Sequence, residues 1–151
     1  MSGQPDYFKE IAKRMGLTPY IAAVGGEMLE AANGRGRMRL PYSEKLIGDP
    51  DTGIVHGGVI TAFLDHCCGA AVTTGLREPM PIATLDLRID YMKPATPGAD
   101  IFFEAEVLKV THEIAFARAV ADHEKGDPIA ISNGTFMLTR GPMPYPTGGS
   151  G

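Results

Sequence analysis

The chain has 151 residues, 44% of them hydrophobic, enough to bury one core of its own, and 14 Lys and Arg against 18 Asp and Glu leave a net charge of -4. Charges of both signs are interspersed, so no basic patch for nucleic acid or an anionic membrane is present, and neither partner is expected. No run approaches the roughly 18 consecutive apolar residues of a membrane span. Residues 1–10 also lack the basic-then-apolar order of a secretion signal, so the expected address is the cytoplasm.

Within residues 5–15, Phe8, Ile11, Ala12 and Met15 recur at helical spacing with Lys9, Glu10, Lys13 and Arg14 opposite, which predicts a short amphipathic helix. Gly16 and Pro19 stop it, and residues 21–40 read as two extended segments joined by a tight turn at Asn33-Gly34. The stretch Gly48-Asp49-Pro50-Asp51-Thr52-Gly53 is made of turn formers. It leads into His56-Gly57-Gly58 and then residues 59–76, where apolar side chains cover most of a helix circumference and predict a buried core helix. Cys67 and Cys68, adjacent in that run, read as two buried thiols rather than a disulfide or a metal site.

Residues 84–91 alternate strictly, which predicts a strand with Leu85, Leu87, Ile89 and Tyr91 on one face and Thr84, Asp86, Arg88 and Asp90 on the other. Three further strands are expected over residues 101–110, 112–123 and 129–140. In the middle one, Ala115, Ala117, Ala119 and Ala121 share a face, and a row of alanines lets the buried helix approach closely. The sum is an α+β domain over residues 1–140, an antiparallel sheet of about six strands wrapped around a long central helix, the hotdog arrangement. Residues 141–151, rich in Pro and Gly, read as a flexible tail.

Asp65 stands out because it interrupts the apolar helix, where an unpaired carboxylate would cost several kcal/mol. It is either a functional group or one that emerges at a solvated edge or pairs with a neighbour such as His66. At helical spacing Gly58, Thr61, Ala62, Asp65, His66 and Gly69 form one stripe of small or polar side chains, a groove for an extended ligand or for a second subunit. At the helix start, free N–H groups beside Gly57 and Gly58 have the character of a carbonyl-polarising turn, and His56 is suited to anchoring that turn. A carboxylate and a polarising turn suit cleavage of a thioester, whose thiolate leaves readily. The carboxylate could activate water or attack the carbonyl itself. No spaced metal ligands, Gly-x-Ser-x-Gly or P-loop pattern competes, so no metal or separate cofactor is expected.

The segment Gly53-Ile54-Val55-His56-Gly57-Gly58-Val59-Ile60-Thr61-Ala62-Phe63-Leu64-Asp65 resembles the His-Gly-Gly signature of PaaI-type (phenylacetate-pathway-like) hotdog acyl-CoA thioesterases, and Thr84-Leu85-Asp86-Leu87-Arg88-Ile89-Asp90-Tyr91-Met92-Lys93-Pro94-Ala95 resembles the strand after the helix in that family. The resemblance spans about residues 25–140. It implies hydrolysis of a medium-chain or aryl acyl-CoA, with coenzyme A entering as part of the substrate, by a homodimer or tetramer whose sites lie between subunits. Asp65 would be nucleophile or general base, Gly57 with help from Gly58 would polarise the carbonyl, and Thr84 would hold the attacking water. Many relatives carry Asn or Gln in the loop before His-Gly-Gly, where this chain has Asp49 and Asp51. Phe63, Met80 and Ile82, with Thr61 and His66, are the expected substrate-lining residues. The competing readings are a hotdog protein that binds an acyl thioester or other apolar ligand without cleaving it, and, more remotely, a dehydratase.

Overall fold

The computed structural model describes residues 6–140. Two short helices, α1 (Asp6–Gly16) and α2 (Pro19–Ala23), precede a hairpin of β1 (Glu27–Ala32) and β2 (Arg35–Leu40). The small pair β3 (Ile47–Asp49) and β4 (Ile54–Val55) brackets the turn before α3 (Gly57–Gly75). The strands β5 (Ile82–Tyr91), β6 (Ile101–Val110), β7 (Ile114–Asp122) and β8 (Pro128–Leu138) follow, and the main sheet is antiparallel in the order β1-β2-β6-β7-β8-β5. A six-stranded sheet around one long helix is the expected hotdog architecture. The tail over residues 141–151 lies outside the described residues. The extended segment expected from residue 21 begins instead at Glu27, because Pro19, which has no N–H to lose at a first turn, opens helix α2 there.

The helix α3 lies mainly across β2, β6 and β7. Its approach is made possible by side chains too small to obstruct it. Ala115, Ala117, Ala119 and Ala121 are all at most 1% exposed. On β2, a Cβ at Gly36 would sit 2.7 Å from the Cys67 carbonyl oxygen. The β1–β2 turn uses Asn33 and Gly34, both at positive φ (49° and 77°), as a tight hairpin of that kind requires. Its Gly34 N–H bonds to Thr74 Oγ1, tying the hairpin tip to the end of α3. Ile60, Phe63, Leu64, Cys67, Ala71 and Val72 form the helix's core side. Burial pushes both thiols up, that of Cys68 to about 12.

The strand β5 departs from strict alternation. Its pairing with β8 shifts between Thr84 and Asp86, a bulge at Leu85 that leaves this leucine 53% exposed. The extra residue changes the phase of the strand. Thr84, expected on the face opposite Leu87 and Ile89, therefore turns to α3 while Ile89 also packs against the core. Because the helix-to-sheet distance is set at Gly36, Gly36→Val is expected to destabilise the fold by about 1–3 kcal/mol through overpacking, read as a lower midpoint in urea unfolding.

Candidate functional site

The turn that starts α3 is held from several sides. Asp49 accepts hydrogen bonds from Thr52 Oγ1 (2.7 Å) and from the Asp51 N–H (3.1 Å). The bond from Thr52, then that from Asp51, holds the Asp49 carboxyl below the usual carboxylate range. Tyr42 donates its hydroxyl to the Gly53 carbonyl at 2.9 Å, and its own N–H donates to Asp100 (3.0 Å). Asp100 is in turn bonded by Arg39 at 2.7 Å, and that hydrogen bond keeps its carboxyl charged below the ordinary range. Asp49 and Asp51 thus build the loop, with the Asp49 carboxylate turned into it as an acceptor.

His56 caps α3. Its N–H donates to the Leu46 carbonyl (2.8 Å), and its ring Nδ1 accepts from the Gly58 N–H at 2.9 Å. The ring needs the space left by two glycines: a Cβ at Gly58 would lie 2.9 Å from Nδ1, and one at Gly48 would lie 2.8 Å from His56 Cα. This corrects one expectation. The Gly58 N–H is already taken by His56, so it is not free to polarise a carbonyl, whereas the Gly57 N–H has no acceptor among the described residues. The Gly57 carbonyl accepts from Tyr91 (2.9 Å) and Thr61 (3.2 Å), whose hydroxyls also bond each other. Tyr91 is a residue that sequence reasoning placed only as a strand position. Its one signal is an aromatic hydroxyl at the end of an alternating strand.

Of the placements open to Asp65 in the sequence, the structure has it at a partly solvated edge with a partner other than His66. It is half-buried, and Thr84 Oγ1 donates to its Oδ1 at 2.9 Å. A helix wrapped by a sheet leaves one stripe at the sheet's edge, and the acid emerges there, facing the edge strand β5. His66 does not pair with it; its Nε2 donates to the Met15 carbonyl (2.9 Å) and so fastens the end of α1 to α3. Phe63 is a second correction. It is fully buried against Phe103, with ring centroids 5.1 Å apart, because it points to the sheet and not to the Asp65 stripe. Met80 and Ile82 do line a cavity of about 360 Å³, together with Met15 and Thr73.

The structure thus groups His56, Gly57, Thr61 and Tyr91 at the helix start, Asp65 with Thr84 two turns on, and Met80 with Ile82 beyond. Arg88 pairs with Asp90, Lys93 with Asp127, and Arg140 with His112. Among the described residues no cluster of His, Cys, Asp or Glu could hold a metal, and no helix is long and apolar enough to cross a membrane.

The sequence profile of the thioesterase superfamily matches residues 52–130. A Pseudomonas aeruginosa protein of known crystal structure is 39% identical, with a TM-score of 0.75 over 86% of this chain and 98% of that one. A variant of the phenylacetic acid degradation protein PaaI from Thermus thermophilus is 25% identical, with a TM-score of 0.70 over 80% and 98% of the two chains. The medium/long-chain acyl-CoA thioesterase YigI of Escherichia coli is 26% identical over 133 residues, 80% of this chain and 85% of that protein.

Two measurements test this geometry. Tyr91→Phe removes the donor to the Gly57 carbonyl and is expected to lower stability by about 1 kcal/mol in urea unfolding. Asp100 has a lowered folded pKa, so its stabilisation is present above the unfolded value and lost as pH falls through the folded one; Asp100→Asn is expected to flatten the acid limb of a stability-versus-pH curve.

Proposed function

The chain belongs to the thioesterase superfamily, and on that premise we propose that it hydrolyses a medium-chain or aryl acyl-CoA to the free acid and coenzyme A, with Asp65 as the reacting carboxylate. The observation that carries this reading is the pairing of Asp65 with Thr84 on the open stripe of an otherwise buried helix, with a free N–H at Gly57 on the same element. Thr84 occupies Oδ1 and leaves Oδ2 to take a proton from water or to attack the carbonyl. The Thr84 hydroxyl oxygen in turn can accept from that water. The Gly57 N–H, at the positive end of the helix dipole, is placed to stabilise the oxyanion, where one such donor is worth roughly 2.7–4 kcal/mol. Gly58 contributes room for the His56 ring rather than a second donor. Coenzyme A enters as part of the substrate, and the chemistry draws on no other cofactor.

The working unit in this reading is a homodimer, with a tetramer of two dimers a further possible assembly. Gly57 and Asp65 are eight residues apart, about 12 Å along the helix axis, too far for one carbonyl to meet both. The carboxylate of one copy and the Gly57 N–H of another would serve one thioester. The exposed Leu85, Tyr91 and Met92 along the edge strand β5 and its continuation favour a second copy at that edge.

Release of thiol from short, medium, long and aryl acyl-CoAs, measured for the wild type and Asp65→Asn, tests the reading. Turnover is expected to fall by about 10²–10⁴-fold in the variant with the fold intact. Saturable binding without turnover by the wild type would instead favour a non-hydrolytic acyl-thioester binder. A single turnover in ¹⁸O-water reports where water attacks: label in Asp65 marks a mixed anhydride opened at its aspartyl carbon, and label in the released acid alone marks attack of water on the acyl carbon.

A further inference from the structure

The segment from Met92 to Asp100, between β5 and β6, braces the turn before α3 from outside the helix. Just before the segment, Tyr91 donates its hydroxyl to the Gly57 carbonyl. Farther along, Pro97 lies against the turn itself, where a Cβ at Gly53 would meet Pro97 Cβ at 3.5 Å. Gly53 is also the residue whose carbonyl takes the Tyr42 hydroxyl, and the Tyr42 N–H donates to Asp100 at the end of the segment. Gly53 stands four residues before Gly57, so the course of this segment helps to place the Gly57 N–H.

His123, half-buried in the corner between β7 and β8, joins the two ends of the stretch from Thr96 to Asp100. The Thr96 N–H donates to its Nε2 at 2.8 Å, and its Nδ1 stands 2.7 Å from the Asp100 carbonyl oxygen. These backbone partners fix the ring's protons. A carbonyl only accepts, so Nδ1 carries the hydrogen; an N–H only donates, so Nε2 carries none. The ring is neutral in this arrangement. A proton added at Nε2 leaves the bond to Asp100 intact and sets two donors, the new Nε2–H and the Thr96 N–H, against each other. Histidine is the side chain whose charge ordinarily changes between about pH 5 and 8.

Charges of both signs surround the ring. Asp100, held charged by its hydrogen bond from Arg39 of β2, and Asp122 of β7 both interact favourably with an imidazolium at His123. Around Asp122 stand Glu104 of β6, Lys125 of the corner and Arg37 of β2, while Glu124, next in the chain, is exposed. Lys93 and Asp127 pair with each other across the same junction. The carboxylates favour the charged ring, and its formation is felt at Thr96, the one partner that a charged ring cannot keep.

We propose that His123 is a positioning residue for the reaction and a pH latch on it: the neutral ring holds the stretch from Thr96 to Asp100 against the turn before α3, and protonation releases Thr96 and loosens the Gly57 donor. The proposal rests on the thioesterase reading above and adds to it a residue outside the reacting site. Turnover falls on the acid side as the ring takes up its proton. The loss is in kcat more than in KM, because the Gly57 N–H meets charge that develops only in the transition state.

Two substitutions separate the two ring nitrogens. His123→Gln sets an amide oxygen, which does not titrate, where Nε2 accepts from Thr96. His123→Asn keeps a donor toward the Asp100 carbonyl but is too short for Thr96, and so imitates the protonated ring at every pH. The kcat of each is measured on decanoyl-CoA and phenylacetyl-CoA from about pH 5 to about pH 8. His56 also accepts at Nδ1, from the Gly58 N–H, but it is common to all three proteins and drops out of the ratio of variant to wild type. Near pH 8, His123→Gln is expected within about 3-fold of the wild type and His123→Asn about 10-fold or more below it. Toward pH 5 the first ratio is expected to rise and the second to approach one. Parallel profiles for His123→Gln and the wild type, or a wild-type kcat in His123→Asn near pH 8, overturn the proposal.

Proton–nitrogen correlation spectra over the same pH range, with circular dichroism to show the fold intact, need no turnover. In the wild type the Thr96 and Gly57 amide signals are expected to move together as the His123 ring titrates, and that movement is absent from His123→Gln. If both amides move in this way while neither thioester is cleaved, the thioesterase reading fails and the latch stands. A Gly57 amide that follows the same course in the wild type and in His123→Gln overturns the latch, whatever the turnover.

Discussion

A helix surrounded by a sheet can present chemistry only where the sheet ends, and everything about this site follows from how closely α3 is drawn into its wrapping. The alanine face of β7 and Gly36 on β2 remove the side chains that would hold the helix away. With three strands pressed against it, α3 has one stripe left, facing the edge strand β5. Asp65 lies on that stripe, half-buried and bonded to Thr84. A looser helix would blur the direction of the carboxylate, and a fully covered one would favour its neutral form.

The turn at the helix start shows the same economy of position. His56 is held by its backbone to Leu46 and by its ring to the Gly58 N–H, and Gly48 and Gly58 exist as glycines because the ring and its Cα stand where their side chains would be. One consequence is a division of labour between two neighbouring N–H groups. The Gly58 donor is spent on local structure, and the Gly57 donor has no acceptor among the described residues. The Asp49 turn and the Arg39, Asp100 and Tyr42 relay brace the loop that leads into it. Rigid support of this kind is what allows a donor to act without reorganising.

Much of this was legible in the residues. The apolar circumference of α3, the turn at Asn33-Gly34, the alternating strands and the odd placement of Asp65 all report local physical demands that one sequence displays. The failures have a common cause in contacts between distant segments. Strict alternation put Thr84 on the wrong side because a bulge at Leu85 is a feature of pairing with β8, not of the strand's own pattern. Phe63 shares a helix with Asp65, but which face meets the sheet depends on the partner strands, and it lies in the core. The competition of His56 for the Gly58 N–H depends on a ring rotamer, and the role of Tyr91 depends on where β5 ends relative to α3. No spacing rule along one chain encodes either.

The sheet order β1-β2-β6-β7-β8-β5 also bears on how the chain is made. Among the described residues the strand β5 has its only main-sheet partner in β8, and α3 is covered chiefly by strands of which β6 and β7 come after it. During synthesis at ~5–20 residues per second, the sixty-odd residues between Gly75 and Leu138 take on the order of 3–12 s to appear. For that interval the nearly all-apolar helix is made and the strands that supply most of its cover are not yet complete. Nascent-chain chaperones would find their target there, and slower synthesis between α3 and the end of β8 would prolong it.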